Sequence, residues 1–158
     1  MGNICRSPAG EAVMQRFAEE FDVNVEVDSA GTHGYHIGEQ ADARMRSAAE
    51  LRGYELKSLG RKVSASDLSP SRFDLVLAMD ADNHAILVEM AGGVKSHIRM
   101  FSDYLDHNWP RDVPDPYYGE ADGFEKVLDM LEEGCPIILQ TMMGKDIFDG
   151  DFDEEKSD

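Results

Sequence analysis

The sequence predicts an α/β fold: an open parallel sheet with helices on both faces, a Rossmann-like three-layer sandwich. Three observations predict it. Short apolar runs alternate with amphipathic stretches at helical spacing, polar turn-forming segments separate them, and the run from Phe73 to Met79 is almost continuously apolar. Such a run is what a strand needs when helices cover both sides of the sheet.

The elements follow in chain order. A helix is expected from Pro8, because proline is tolerated in a first turn and Ala12, Val13, Phe17, Ala18 and Phe21 form an apolar stripe. Val23, Val25 and Val27 alternate with Asn24, Glu26 and Asp28, predicting a short strand that ends at the small-residue turn Ser29-Ala30-Gly31-Thr32. A second helix spans Asp42 to Arg52 and stops at Gly53. The stretch Gly60 to Pro70 is polar and turn-rich. After the strand at 73–79, Asp80 closes it and Asn83 stands one turn into a helix carrying Ile86, Leu87 and Met90. A weaker strand follows Gly92-Gly93, between Val94 and Met100, and then a loop rich in Asp, Pro and Tyr. The last helix starts near Gly123, carries Phe124, Val127, Leu128 and Leu131, and is expected to kink or end at Pro136. One domain over residues 1–144 and an acidic flexible tail from Lys145 to Asp158 complete the organisation.

With 158 residues the chain can bury one core, and no uncharged apolar run reaches the length of a membrane span. No basic-then-apolar leader opens it, so a cytoplasmic location is expected. Two cysteines, Cys5 and Cys135, fit a reducing compartment rather than a disulfide scaffold. Asp and Glu outnumber Lys and Arg by 32 to 15, for a net charge of -17. That field repels a nucleic-acid backbone and excludes a polynucleotide partner. An anionic substrate would need a locally positive cradle. The five histidines show no metal-ligand spacing, and neither a metal nor another cofactor is expected.

Gly2-Asn3-Ile4-Cys5-Arg6-Ser7-Pro8 supplies such a cradle. Gly2 lets an anion approach the backbone, Asn3 can brace the loop, and amides from Gly2 to Ser7 converge at a helix N-terminus. Arg6 adds a guanidinium able to hold two phosphate oxygens. The competing structural reading is an ordinary helix start with Ser7 as N-cap and Arg6 on the surface. Asp112-Val113-Pro114-Asp115-Pro116-Tyr117-Tyr118-Gly119 is the second element. Asp115 is held between prolines in a stiff loop, and shielding by the neighbouring aromatics would desolvate it, raise its pKa and suit it to protonating a leaving oxygen. Asp80 and Asn83 are placed to reach the cradle from behind.

These motifs, with Ser29-Ala30-Gly31-Thr32 and Met79-Asp80-Ala81-Asp82-Asn83, stand in an order and spacing that resembles the low-molecular-weight protein-tyrosine phosphatases from Gly2 to about Met143. The resemblance implies that Arg6 binds the phosphoryl group, that Asn3 and Ser7 organise the loop, and that Asp115 is the general acid and later the base. It implies an aromatic rim of Tyr35, Tyr117 and Tyr118, and a phosphotyrosine-containing protein or small aryl phosphate as substrate. Gly2, Asn3, Ile4, Cys5, Arg6 and Ser7 would form the phosphate loop. It further implies a nucleophilic cysteine five residues before Cys5, which is position zero. The first central strand and the attacking thiolate are therefore expected to be absent, the start at Met1 to be late, and the chain as it stands to be inactive. Cys5 itself is poorly placed for attack at phosphorus. Rival readings are a catalytically dead phosphate-binding or regulatory module, a phosphoarginine phosphatase, which an apolar Ile4 with Tyr35 disfavours, and an arsenate reductase, which lacks its further cysteines here. The family also often carries a histidine where this chain has Ser58-Leu59-Gly60. Oligomeric state is left open.

Overall fold

The computed structural model describes residues 2, 4–117, 119 and 122–144. The expected tail at 145–158, together with Asn3 and Tyr118, lies outside the described residues. Helix α1 runs Arg6–Glu20, α2 Ala43–Glu50, α3 Ala81–Met90 and α4 Asp122–Met143; strands β1, Val76–Ala78, and β2, Ile98–Met100, pair in parallel with Val76 opposite Ile98. Alternation of side chains across this ladder sorts the core into two layers. Val76 and Ala78 pack with Leu87 of α3 and with Ile98 and Met100, while Leu75, Leu77 and Met79 pack toward the cluster built by α1, α2 and α4. Helices thus cover both faces, as the apolar run from Phe73 predicts.

The helix boundaries have local causes. Asp42 caps α2 by accepting from the amides of Arg44 and Met45, and Gly53 takes φ +86° just beyond that helix. Asp80 caps α3 through the amide of Asn83. Two expectations need correction. Pro136 does not end α4, which continues to Met143. Its buried stripe of Val127, Leu128, Leu131, Cys135, Ile138 and Leu139 runs past the proline, so packing outweighs the missing amide. The second correction concerns residues 23–30, which form no ladder among the described residues despite their alternation. Gly31 next to them bridges to Lys62, donating to the Arg61 carbonyl at 2.8 Å and accepting from Val63 at 2.8 Å.

Candidate active site

The site assembles where the N-terminus of α1 meets the carboxyl end of β1. Arg6 is the first residue of α1 and only 4% exposed, so it is not the surface residue of an ordinary helix start. Its Nη1 donates to Asp80 Oδ2 at 2.7 Å and to the Val113 carbonyl at 2.8 Å. Its Nη2 lies 3.9 Å from Asp115 Oδ2. One guanidinium therefore joins the start of α1, the end of β1 and the loop that carries Asp115. Ser7 is not the cap: Cys5 holds the N-cap position, with no side-chain bond closing the helix end.

Asp80 accepts from both Arg6 and the Asn83 amide, the latter at 2.7 Å. Burial raises the cost of its charge, but those two hydrogen bonds and the Arg6 charge outweigh it and hold the carboxyl below the usual range. Asn83, itself buried, donates through Nδ2 to Thr32 Oγ1 at 3.2 Å. The Ser29 to Thr32 turn is thereby tied to the head of α3. Asp80 thus reaches Arg6 of the cradle directly, while Asn83 bonds to Asp80 and Thr32.

The Asp115 loop is docked at several points. Val113 is fully buried and donates to the Met79 carbonyl at 2.9 Å, and Asp112 accepts from the Ala81 amide at 3.0 Å. Asp115 Oδ1 accepts from the Tyr117 amide at 3.0 Å, which orients the carboxyl within its own turn. The Asp115 side chain keeps 30% of its surface exposed. Arg6 is the nearby cation that the fold supplies to it.

Sequence reasoning missed Arg44. Its Nη2 donates to the Tyr117 carbonyl at 3.0 Å, and its guanidinium lies over the rings of Tyr117 (5.4 Å) and Phe124 (4.9 Å). It also pairs with Asp42, so α2 grips the acidic loop. The Asp-x-Arg spacing at the helix start was the available signal, since a capping Asp holds a following Arg. Tyr35 is 70% exposed and stacks on His33 at 5.2 Å, while His36 from the same loop faces Tyr117 at 6.1 Å. Two expected rim residues therefore belong to segments that touch.

Ile4 and Cys5 are buried in the main core cluster. The Ile4 side chain packs in that cluster, and its carbonyl accepts from the Asp42 amide at 2.7 Å. Burial, with the carboxylates of Asp42 and Asp115, pushes the Cys5 thiol up to about 12. Cys135 is buried inside α4, where its thiol is also pushed up. Gly2 presses against His36: a Cβ there would stand 2.4 Å from the imidazole Cδ2. At Gly60 a Cβ would stand 2.1 Å from the His36 carbonyl oxygen, and the Gly60 amide donates to the Glu39 carbonyl at 2.8 Å. Glycine at position 60 lets this chain close the loop by direct backbone contact. Among the described residues no group of acidic, histidine or cysteine side chains is arranged to hold a metal ion, and no helix is long and apolar enough to cross a membrane.

Residues 1–147 match the family model described as low molecular weight phosphotyrosine protein phosphatase. The chain is 41% identical over 151 residues to a putative low molecular weight protein-tyrosine-phosphatase of Synechocystis, covering 93% of this chain and 94% of the relative. Its fold is similar to the crystal structure of a protein tyrosine phosphatase from Entamoeba histolytica with Hepes in the active site, at a TM-score of 0.83 and 40% identity over 92% of this chain and 94% of that one. It is also similar to YfkJ from Bacillus subtilis, with a TM-score of 0.84 and 36% identity, over 92% and 91% of the two chains.

Proposed function

The chain belongs to the low molecular weight phosphotyrosine protein phosphatase family, and we propose that its site binds the phosphoryl group of an aryl phosphate monoester, with a phosphotyrosyl side chain as the substrate class. Arg6 and the amides at the head of α1 would take the phosphoryl oxygens, and Asp115 would donate a proton to the departing phenol oxygen. Tyr35 and Tyr117 would flank the ring. The observation that carries this reading is the buried Arg6, fixed by Asp80 and the Val113 carbonyl with Asp115 at 3.9 Å.

The family reaction needs a thiolate to attack phosphorus, breaking the bond to the phenol oxygen and leaving a cysteinyl-phosphate that water then hydrolyses. Neither cysteine here suits that step. Cys5 is buried with its thiol pushed up to about 12, and Cys135 is sealed in α4. These 158 residues alone should therefore bind phosphate without turning over its esters.

Titration calorimetry with inorganic phosphate, beside hydrolysis of p-nitrophenyl phosphate by the same sample, tests both halves. The expected result is phosphate binding that Arg6→Lys weakens by about tenfold or more, roughly the value of a bidentate charge-assisted contact. No burst of p-nitrophenol should appear. Absence of phosphate binding in a folded protein would sink the site, and turnover by these residues alone would sink the claim that neither Cys5 nor Cys135 attacks phosphorus.

A further inference from the structure

A circuit of polar contacts runs around the mouth of the site, and Arg44 closes it. The Ile4 carbonyl of the cradle accepts from the Asp42 amide at 2.7 Å. Asp42 Oδ1 accepts from Arg44 Nε at 3.1 Å and Oδ2 from Nη2 at 3.0 Å, the parallel fork of a bidentate pair. The same Nη2 donates to the Tyr117 carbonyl at 3.0 Å, and the Tyr117 amide donates to Asp115 Oδ1 at 3.0 Å. Asp115 Oδ2 leads back to Arg6 at 3.9 Å. The phosphate side and the acid side of the cleft are thus joined twice, through Arg6 inside and through Arg44 at the rim.

Stability does not account for this arrangement. The Arg44 side chain is 51% exposed, and an ion pair so placed adds little to folding. Nor does α2 need it, because Asp42 caps that helix through the backbone amides of Arg44 and Met45. What the guanidinium plane fixes is orientation: it lies over the rings of Tyr117 and Phe124, tying the acid loop to α4 as well as to α2. Upstream of Asp115 the loop is pinned through Val113 and Asp112; downstream, Arg44 reaches it from another element.

We propose that Arg44 is a specificity-determining positioning residue. It holds the Tyr117 ring and, through the Tyr117 amide, the Asp115 carboxyl in register with the cradle, so that the site prefers aryl over alkyl phosphate esters. This rests on the reading of the site as a phosphoryl cradle, and it assigns the choice among esters to α2, outside that cradle. Lysine cannot replace it, since one ammonium lacks both the fork and the plane.

The test uses the whole 158-residue protein with methylphosphonate and phenylphosphonate, which share the anionic head and differ by the ring. Calorimetry should show wild type favouring phenylphosphonate. Arg44→Gln should cut that preference about tenfold, the scale of a cation–π contact together with a charge-assisted hydrogen bond, while methylphosphonate affinity stays as it was. Arg44→Lys should behave like Arg44→Gln. Without ligand, amide hydrogen exchange at Tyr117 should quicken about tenfold in both variants as the loop loosens locally. Equal loss of both phosphonates would mean a merely structural role and overturn the proposal. So would full preference in Arg44→Lys, which would make charge rather than geometry the cause, or a wild type indifferent to the ring. Methylphosphonate binding with a preference that Arg44→Gln leaves unchanged removes the role of Arg44 and leaves the cradle standing. A folded wild type that binds neither phosphonate removes both.

Discussion

Asp80 shows how a single carboxylate can do two structural tasks at once. It caps α3 and holds the Nη1 end of Arg6, leaving the rest of that guanidinium directed at the Asp115 side of the cradle. Its pKa is depressed in the fold. The stability it contributes is therefore fully present above the unfolded value of about 3.9, and is lost as pH falls through the lower folded value. Asp80→Asn should cost about 1–3 kcal/mol near neutrality, the usual price of weakening a buried charge-assisted bond. In urea titrations the gap between wild type and variant should hold from pH 7 to about 5 and close below about pH 4. A gap independent of pH would show that charge is irrelevant there. Cys5 makes the opposite case. With its thiol pushed up to about 12, it should resist iodoacetamide at pH 7.5 in the native state and react promptly in denaturant, as followed by intact mass.

At the scale of the element, most of what the sequence foretold concerns helices, because a helix satisfies its own backbone. The stripe from Ala12, the start at Asp42 and the stop at Gly53 are local signals, and each matches an observed helix within a few residues. The alternation at Val23 to Val27 is just as clear, yet it yields no strand among the described residues, since a strand exists only with a partner on which to spend its hydrogen bonds. Pro136 fails as a stop signal for the converse reason: the buried stripe of α4 continues past it, so tertiary packing keeps the helix going. Arg6 was legible because it stands inside the compact run Gly2 to Pro8 at a helix start, and Asp80 because it closes the apolar run from Phe73 to Met79. The grip of Arg44 on the Asp115 loop was not, because it joins residues 73 positions apart in the sequence. Substituting Pro136→Ala should restore a helical amide and raise the free energy of unfolding by about 1–3 kcal/mol, read from the urea midpoint. A fall instead would mean that the proline shapes a bend the core requires.

The whole molecule carries a charge of -17, concentrated in a chain of 158 residues. Self-repulsion of that size opposes the compact state, and salt screens it over a Debye length of about 10 Å at 0.1 M. The thermal midpoint should therefore climb between 0.05 and 1 M NaCl, with KCl giving the same curve; a flat response would mean that the many local ion pairs already neutralise the field. Phosphate affinity should move the other way as competing anions fill the cradle. The seam at Gly60 joins these scales. Because its backbone lies directly against that of His36, and His36 leans on both Gly2 and Tyr117, any side chain at position 60 displaces the loop that carries Tyr35. A laboratory lineage selected for a new preference among phosphate esters should thus accumulate changes at residue 60, a position that meets no ester, and a breeder of such variants who mutated only the pocket wall would overlook the hinge on which preference turns.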